Sequence, residues 1–302
     1  MNMPRREFIH ATAAAGAAAI VRSAPASAED AQPAPQPRVG SQLYGWTQYY
    51  QRDKKTFDMG EALSAIRDAG YEYAEGSMDS GTPANNAKLA EQMKSKGLTP
   101  VCLYSGGRLH EEGKARETVQ RMLAGAKAAG AAGFTVLNCN PDPIGRAKTG
   151  DELKTQAAAL QELGEGLLKL NMRLGIHNHT PEMQNGAKEY HANFKLTDPK
   201  SVGFNYDVHW VFRGGIQPAD ALRDYGARVV SWHLRQSRDK IWWEDLDTGD
   251  IDHAAIAAYV KEHKLPQIYS VELALEGGTK ITRSAVENHR RSREFIRQVF
   301  GV

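Results

Sequence analysis

Four segments late in the chain each place a metal-capable side chain after an apolar run. They are LGIHNHTPEM with His177, His179 and Glu182, VGFNYDVHW with Asp207 and His209, VVSWHLRQS with His233 and Arg235, and IYSVELALE with Glu272 and Glu276. A lone histidine in such a run is ordinarily a hydrogen-bonded core residue. Several unpaired charges in successive buried runs would be costly, so the recurrence changes the reading. Two imidazoles and two carboxylates suit a borderline divalent ion, and Mn, Zn, Co or Mg would serve, with two nitrogens favouring the softer ions. His177, Asp207, His233 and Glu272 are therefore the expected ligands of one divalent metal ion. Glu182, five residues beyond His177, is an alternative donor from the following loop. An ion there would polarise substrate oxygens while a neighbouring group moves a proton, a role expected of Glu272 together with His177 or Glu182. His179 and His209 read equally as substrate contacts and as partners of the ligands.

These groups need elements that bring them together. Short apolar runs at residues 39–46, 71–77, 99–104, 134–140, 173–179, 201–209, 229–235 and 267–273 read as strands. Helical spacing fills the intervals, as in Leu160, Leu163, Leu167 and Leu170. Gly70, Gly97 and Gly130 read as left-handed helix ends. Strands alternating with helices pair in parallel, because each crossover needs a helix. The economical closure is a single-domain α/β fold, a (β/α)8 TIM barrel over residues 39–302, whose catalytic groups stand at the C-terminal strand ends. An open doubly wound sheet is the rival, but Gly45 alone does not make a phosphate-binding turn after the first strand. If the four candidate ligands point inward, so do Gly175, Asn205, Ser231 and Ser270, while Ile176, Tyr206, Trp232 and Val271 face the helices.

Other residues are candidates for shaping a pocket. Glu75 ends the second strand and could accept substrate hydroxyls or close a salt bridge at the rim. Trp46 ends the first strand run, and an aromatic face can pack on an apolar face of a substrate. Trp242-Trp243 could close the site or bury a subunit contact, which leaves a homo-oligomer open. Arg238 could bind an anionic or hydroxyl-rich substrate. The basic run from Arg283 to Arg297 carries apolar residues at helical spacing and reads as the last barrel helix.

Residues 1–28 read as an address. Arg5-Arg6 precedes an Ala-rich run ending in Ala26-Ser27-Ala28, the pattern of a twin-arginine export signal, which makes the protein periplasmic or otherwise exported. Residues 29–38 read as a Pro-rich linker. The full chain has 38 basic and 36 acidic residues. Removing residues 1–28 leaves 35 of each sign. A neutral chain gives no electrostatic case for nucleic acid, and no membrane association is expected once the signal is gone. Cys102 and Cys139 read as buried free thiols on neighbouring strands, with a single bridge as the alternative.

HNHxxE, YDVHW followed by Gly214-Gly215, ARVVSWHLR and VELALE together resemble the xylose-isomerase-like barrel superfamily. Within it the closest likeness is to sugar phosphate isomerase/epimerase-type proteins, many of which carry twin-arginine signals. The resemblance covers residue 39 to the end. It implies one divalent ion held by Glu, Asp, His and Glu from strands five to eight, and Asp207, His233 and Glu272 match three of those positions. His177 stands where those epimerases have Glu. Since epimerisation there uses two glutamates on opposite faces of a carbon, this departure puts a symmetric mechanism in question. Gln236-Ser237 likewise stands where relatives often have Lys-Asp.

The function expected is a sugar isomerase or epimerase acting on a small carbohydrate substrate, by proton transfer next to a carbonyl. The near alternative is a lyase or dehydratase acting on a keto-sugar or 3-keto-glycoside. A non-catalytic carbohydrate-binding barrel and an endonuclease-like hydrolase are the readings from other classes.

Overall fold

The computed structural model describes residues 36–302. The export signal expected at 1–28 and most of the linker lie outside the described residues. Barrel structure begins one residue earlier than expected, with β1 at Arg38–Gln42. The elements that follow are α1 (Leu43–Arg52), α2 (Met59–Asp68), β2 (Tyr73–Ser77), α3 (Ala84–Ser95), β3 (Cys102–Gly107), α4 (Glu112–Ala132) and β4 (Val136–Pro141). Next come α5 (Gly150–Leu168), β5 (Arg173–Ile176), α6 (Thr180–Lys195), β6 (Val202–Asp207), α7 (Val208–Arg213), α8 (Pro218–Tyr225) and β7 (Val229–Leu234). The chain ends with β8 (Ser237–Arg238), β9 (Ile241–Trp242), α9 (His253–Glu262), β10 (Ile268–Val271) and α10 (Ala285–Phe300). The parallel strands close in the order β1-β10-β7-β6-β5-β4-β3-β2, the expected barrel. Among the described residues no helix is long and apolar enough to cross a membrane.

Local chemistry explains the boundaries. The α5 helix starts on a capping box in which the Thr149 hydroxyl accepts from Glu152 N, and Glu152 in turn accepts from Thr149 N. Its Leu160, Leu163 and Leu167 are fully buried, as their spacing requires. Gly70 and Gly97 do follow helix ends, at φ 93° and 72°. Gly130 does not: α4 runs through it and stops at Gly133, which takes φ 113°. The first strand is also shorter than its apolar run. Gln42 turns its side-chain oxygen onto Tyr44 N and starts α1 at Leu43, so Trp46 is a helix residue.

Strand parity sorts the interior. Ile176, Tyr206, Trp232 and Val271 belong to the large apolar core between sheet and helices, as expected. Tyr73, Val101, Cys102, Val136 and Ile268 form a small separate cluster. Above it the inward positions turn polar. Cys102 and Cys139 are both buried and free, and they fall in different clusters.

Beyond β7 the chain makes an unforeseen antiparallel hairpin, β8 with β9. Its turn residues Asp239 and Lys240 both take positive φ, and the Asp250 carboxylate accepts from both of their N–H groups. This hairpin delivers Trp242 to the mouth of the barrel.

Candidate metal centre

His177, Asp207, His233 and Glu272 each offer a ligand atom within 4.8 Å of the other three, and all four residues are buried. They follow or end β5, β6, β7 and β10, whose neighbours bring them level: Asp207 pairs with His233, and Ser270 lies beside His233 two residues before Glu272. Asp207 also caps α7. Its Oδ1 accepts from His209 N at 2.9 Å and Trp210 N at 2.7 Å. Its Oδ2 is buried with no hydrogen-bond partner among the described residues. A buried orphan carboxylate oxygen costs at least about 1–3 kcal/mol, and a cation answers it. That orphan, beside two imidazoles and a second carboxylate, fits a single divalent ion.

The electrostatics follow from burial and pairing. Burial pushes the Asp207 carboxyl up to about 6, with Arg235 opposing and Glu272 adding to the rise. Glu272 goes the other way: burial would raise it, but the Arg235 guanidinium and His233 hold it well below the usual carboxylate range. Arg235 Nη2 lies 2.5 Å from Glu272 Oε1, and Nε donates to the Glu272 carbonyl at 2.9 Å. The guanidinium also sits 3.8 Å from the centre of the Trp242 ring. His233 is gripped from both sides, by Glu272 Oε2 at 2.9 Å from Nδ1 and by Glu75 Oε2 at 3.0 Å from Nε2. Burial would lower its pKa, but the two carboxylates raise it to about 10. His177 is held well below its ordinary value, first by burial and then by the neighbouring imidazoles.

Around this centre the structure redistributes the other expected site residues. Glu182 is outside the four-donor set. Its Oε2 accepts from His179 N at 2.7 Å and its Oε1 from Asn140 Nδ2 at 2.9 Å, so it caps α6. Burial raises it to about 7. His179 contacts Asn140 through Nδ1 and meets Trp210 edge-on at 5.5 Å. Burial lowers it to about 4. His209 accepts the Trp242 indole N–H at 3.0 Å, and burial followed by Arg235 lowers it to about 3. Both histidines are thus neutral members of a wall with Trp210 and Trp242, whose rings meet edge-on at 5.3 Å. Glu75 is completely buried against His233, Asn138 and Ser270, so it supports a ligand instead of facing sugar hydroxyls or a rim salt bridge.

The expectation for Trp46 is corrected. Trp46 is not at the mouth: its ring stacks on His289 of α10 at 4.3 Å and its N–H donates to Ser41 at 2.9 Å. It lies there because helix α1 begins three residues before it. Arg238 is partly exposed, donating to the Thr248 carbonyl at 3.1 Å and covering the Trp243 ring at 3.7 Å.

Arg235, Asn138, Asn140 and Trp210 surround the cluster without having been given a role from the strand ends. Arg235 stands two residues beyond His233, and Asn138 and Asn140 alternate in TVLNCN, so inward parity was a usable signal for all three. A separate cleft of about 540 Å³, lined by Arg108, His110, Asp142 and Arg146 among others, shares no residue with the donor set.

A family model described as a xylose isomerase-like TIM barrel matches residues 63–299. Among solved structures the chain is similar to a sugar phosphate isomerase/epimerase from Parabacteroides distasonis, at 20% identity and a TM-score of 0.70, covering 89% of this chain and 97% of that one. It is similar to an L-ribulose 3-epimerase at 16% identity and a TM-score of 0.66, covering 88% and 95%. It is also similar to a D-allulose 3-epimerase from Methylomonas sp., solved with D-allulose, at 14% identity and a TM-score of 0.66, covering 88% and 98%. No curated protein sequence matches the chain.

Proposed function

The chain belongs to the xylose isomerase-like TIM barrel family, and from that premise we propose that it is a metal-dependent isomerase or epimerase, moving a proton beside a carbonyl of a small carbohydrate. The observation that carries this reading is the convergence of His177, Asp207, His233 and Glu272 on one point at the barrel mouth. Those four residues would hold a divalent ion, whose chemistry there would be Lewis acidity toward substrate oxygens and stabilisation of negative charge.

The chain's own residues do the rest. Glu272, held ionised by Arg235 and His233, is the base. Glu182, raised to about 7, can hold or release a proton near neutrality, which suits the group that returns it. Neutral His179, whose Nδ1–H is given to Asn140 Oδ1, leaves Nε2 to accept from a substrate hydroxyl. Trp210 and Trp242 offer apolar faces to the sugar ring and exclude water. The export signal read at residues 1–28 places the reaction outside the cytoplasm in this reading, which favours an unphosphorylated substrate.

One observation favours a second reading. The strand-five donor is an imidazole, so Glu272 and Asp207 are the carboxylates of the cluster, and Asp207 is committed to capping α7. With a single base the same first step can end by expelling a β-substituent, as in a lyase acting on a keto-sugar or 3-keto-glycoside. Incubation of the metal-loaded protein with ketoses and 3-keto-glycosides in deuterated water separates the two. Deuterium at carbon without elimination supports the isomerase or epimerase, and release of an aglycone or water supports the lyase. If neither product forms, or if Glu272→Gln reacts like the wild type, the proposed chemistry is wrong.

A further inference from the structure

We propose that Glu75 dictates which nitrogen each imidazole offers to the ion, His233 directly and His177 through a one-way chain of hydrogen bonds across the barrel. The inference rests on the metal-centre reading above.

The chain begins at an acceptor. A carboxylate only accepts, and Glu75 is met by His233 Nε2 at 3.0 Å, by the Ser270 hydroxyl and by Asn138 Nδ2 at 2.9 Å. Asn138 must therefore turn its Oδ1 away from Glu75, and that oxygen takes the Ser231 hydroxyl hydrogen at 2.7 Å. Ser231 has no second hydrogen to give, so Asn205 must bring Nδ2 to its oxygen, at 2.9 Å. Asn205 Oδ1 is left facing His177 Nδ1 at 2.8 Å. His177 then carries its proton on Nδ1 and presents Nε2. His233 commits Nε2–H to Glu75, so its Nδ1, on the Glu272 side, is the nitrogen for the ion.

The two ligands thus use opposite nitrogens, and one carboxylate settles both. The path needs room, which Gly175 leaves: a Cβ there would stand 2.7 Å from Asn138 Oδ1 and 3.0 Å from Asn205 Cβ. Asn138, Ser231 and Asn205 are positioning residues, conveying direction from Glu75 to a ligand it does not touch.

Replacing the acceptor reverses the chain. In Glu75→Gln the amide can keep its oxygen on His233 and donate to Asn138, which flips. Ser231 then donates to Asn205, Asn205 donates to His177 Nδ1, and the His177 proton moves to Nε2. In the metal-free full chain, nitrogen-15 NMR of the histidines should show that transfer, and competitive Zn2+ titration should show affinity weakened about 10–100-fold. Adding Asn205→Asp supplies an acceptor for His177 Nδ1–H whichever way the chain runs. It should restore the original tautomer and at least about tenfold in affinity, which a merely structural role for Glu75 does not predict. Ser231→Ala cuts the chain without touching either imidazole, and should blur the His177 tautomer while leaving His233 signals in place. An unchanged His177 tautomer in both Glu75→Gln and Ser231→Ala overturns the inference. A wild-type protein that binds no Zn2+ overturns the metal-centre reading instead, while the tautomer measurement still judges the chain.

Discussion

Asp207→Asn should stabilise the metal-free protein and abolish its response to metal. The variant oxygen can still accept from His209 N and Trp210 N, so the cap on α7 survives. What disappears is a buried negative charge whose second oxygen has no partner. Burial raises this carboxyl from its ordinary 3.8 to about 6. At about 1.36 kcal/mol per pH unit, the ionised form costs the folded state about 3 kcal/mol. The sign is that of a raised carboxyl. Below its ordinary value the group is protonated in both folded and unfolded chains and costs nothing. The cost grows through the interval up to about 6 and is complete above it. In urea unfolding with a chelator present, the variant should match the wild type near pH 4 and exceed it by up to about 3 kcal/mol at pH 8. Zn2+ at a hundred times its dissociation constant should then stabilise the wild type by about 2.7 kcal/mol and leave the variant nearly unmoved. A variant less stable than the wild type at pH 8 in chelator, or one equally stabilised by Zn2+, refutes the assignment of Asp207 as a strained ligand awaiting a cation.

Two further outcomes follow from the same centre. In the metal-free protein the carboxylates of Glu75 and Glu272 overcome burial and hold His233 protonated up to about 10, so metal must displace that proton; apparent Zn2+ affinity should climb roughly tenfold per pH unit between pH 7 and 9, and a flat profile counts against His233 as a ligand. Arg235→Met removes the cation that outweighs burial at Glu272, so the acid limb of the kcat/KM profile should move to higher pH and folding stability should fall by about 3–5 kcal/mol, with an unmoved limb ruling out Arg235 as the group that keeps Glu272 ionised.

Much of the site was readable along the chain because strand physics is periodic. Alternation fixes which residues share a barrel interior, so His177, Asp207, His233 and Glu272 could be matched before any contact was known, with Asn205, Ser231 and Ser270 beneath them. The same rule puts Arg235, two residues beyond His233, on that inward face, but its role against Glu272 is not written in the spacing. Where periodicity is ambiguous the reading slipped. Leu43 and Trp46 suit an apolar strand and an amphipathic helix equally, and the Gln42 side chain decides for the helix, taking Trp46 away from the mouth. Gly130 and Gly133 both permit a left-handed cap, and only the run of backbone hydrogen bonds selects the second.

Residue type and spacing determined the barrel, the inward faces and the candidate donors Asp207, His233 and Glu272, because those depend on local geometry repeated along one strand after another, while the choice of His177 over Glu182 as the fourth came only with the fold. Tertiary structure alone decided the partners: Glu75 beneath His233 across 158 residues of sequence, Arg235 against Glu272, Trp242 delivered by a hairpin onto His209. Such pairings depend on how strands stagger around the closed barrel and where loops fold back, and no local pattern in the chain encodes the distance between two side chains that meet only on closure.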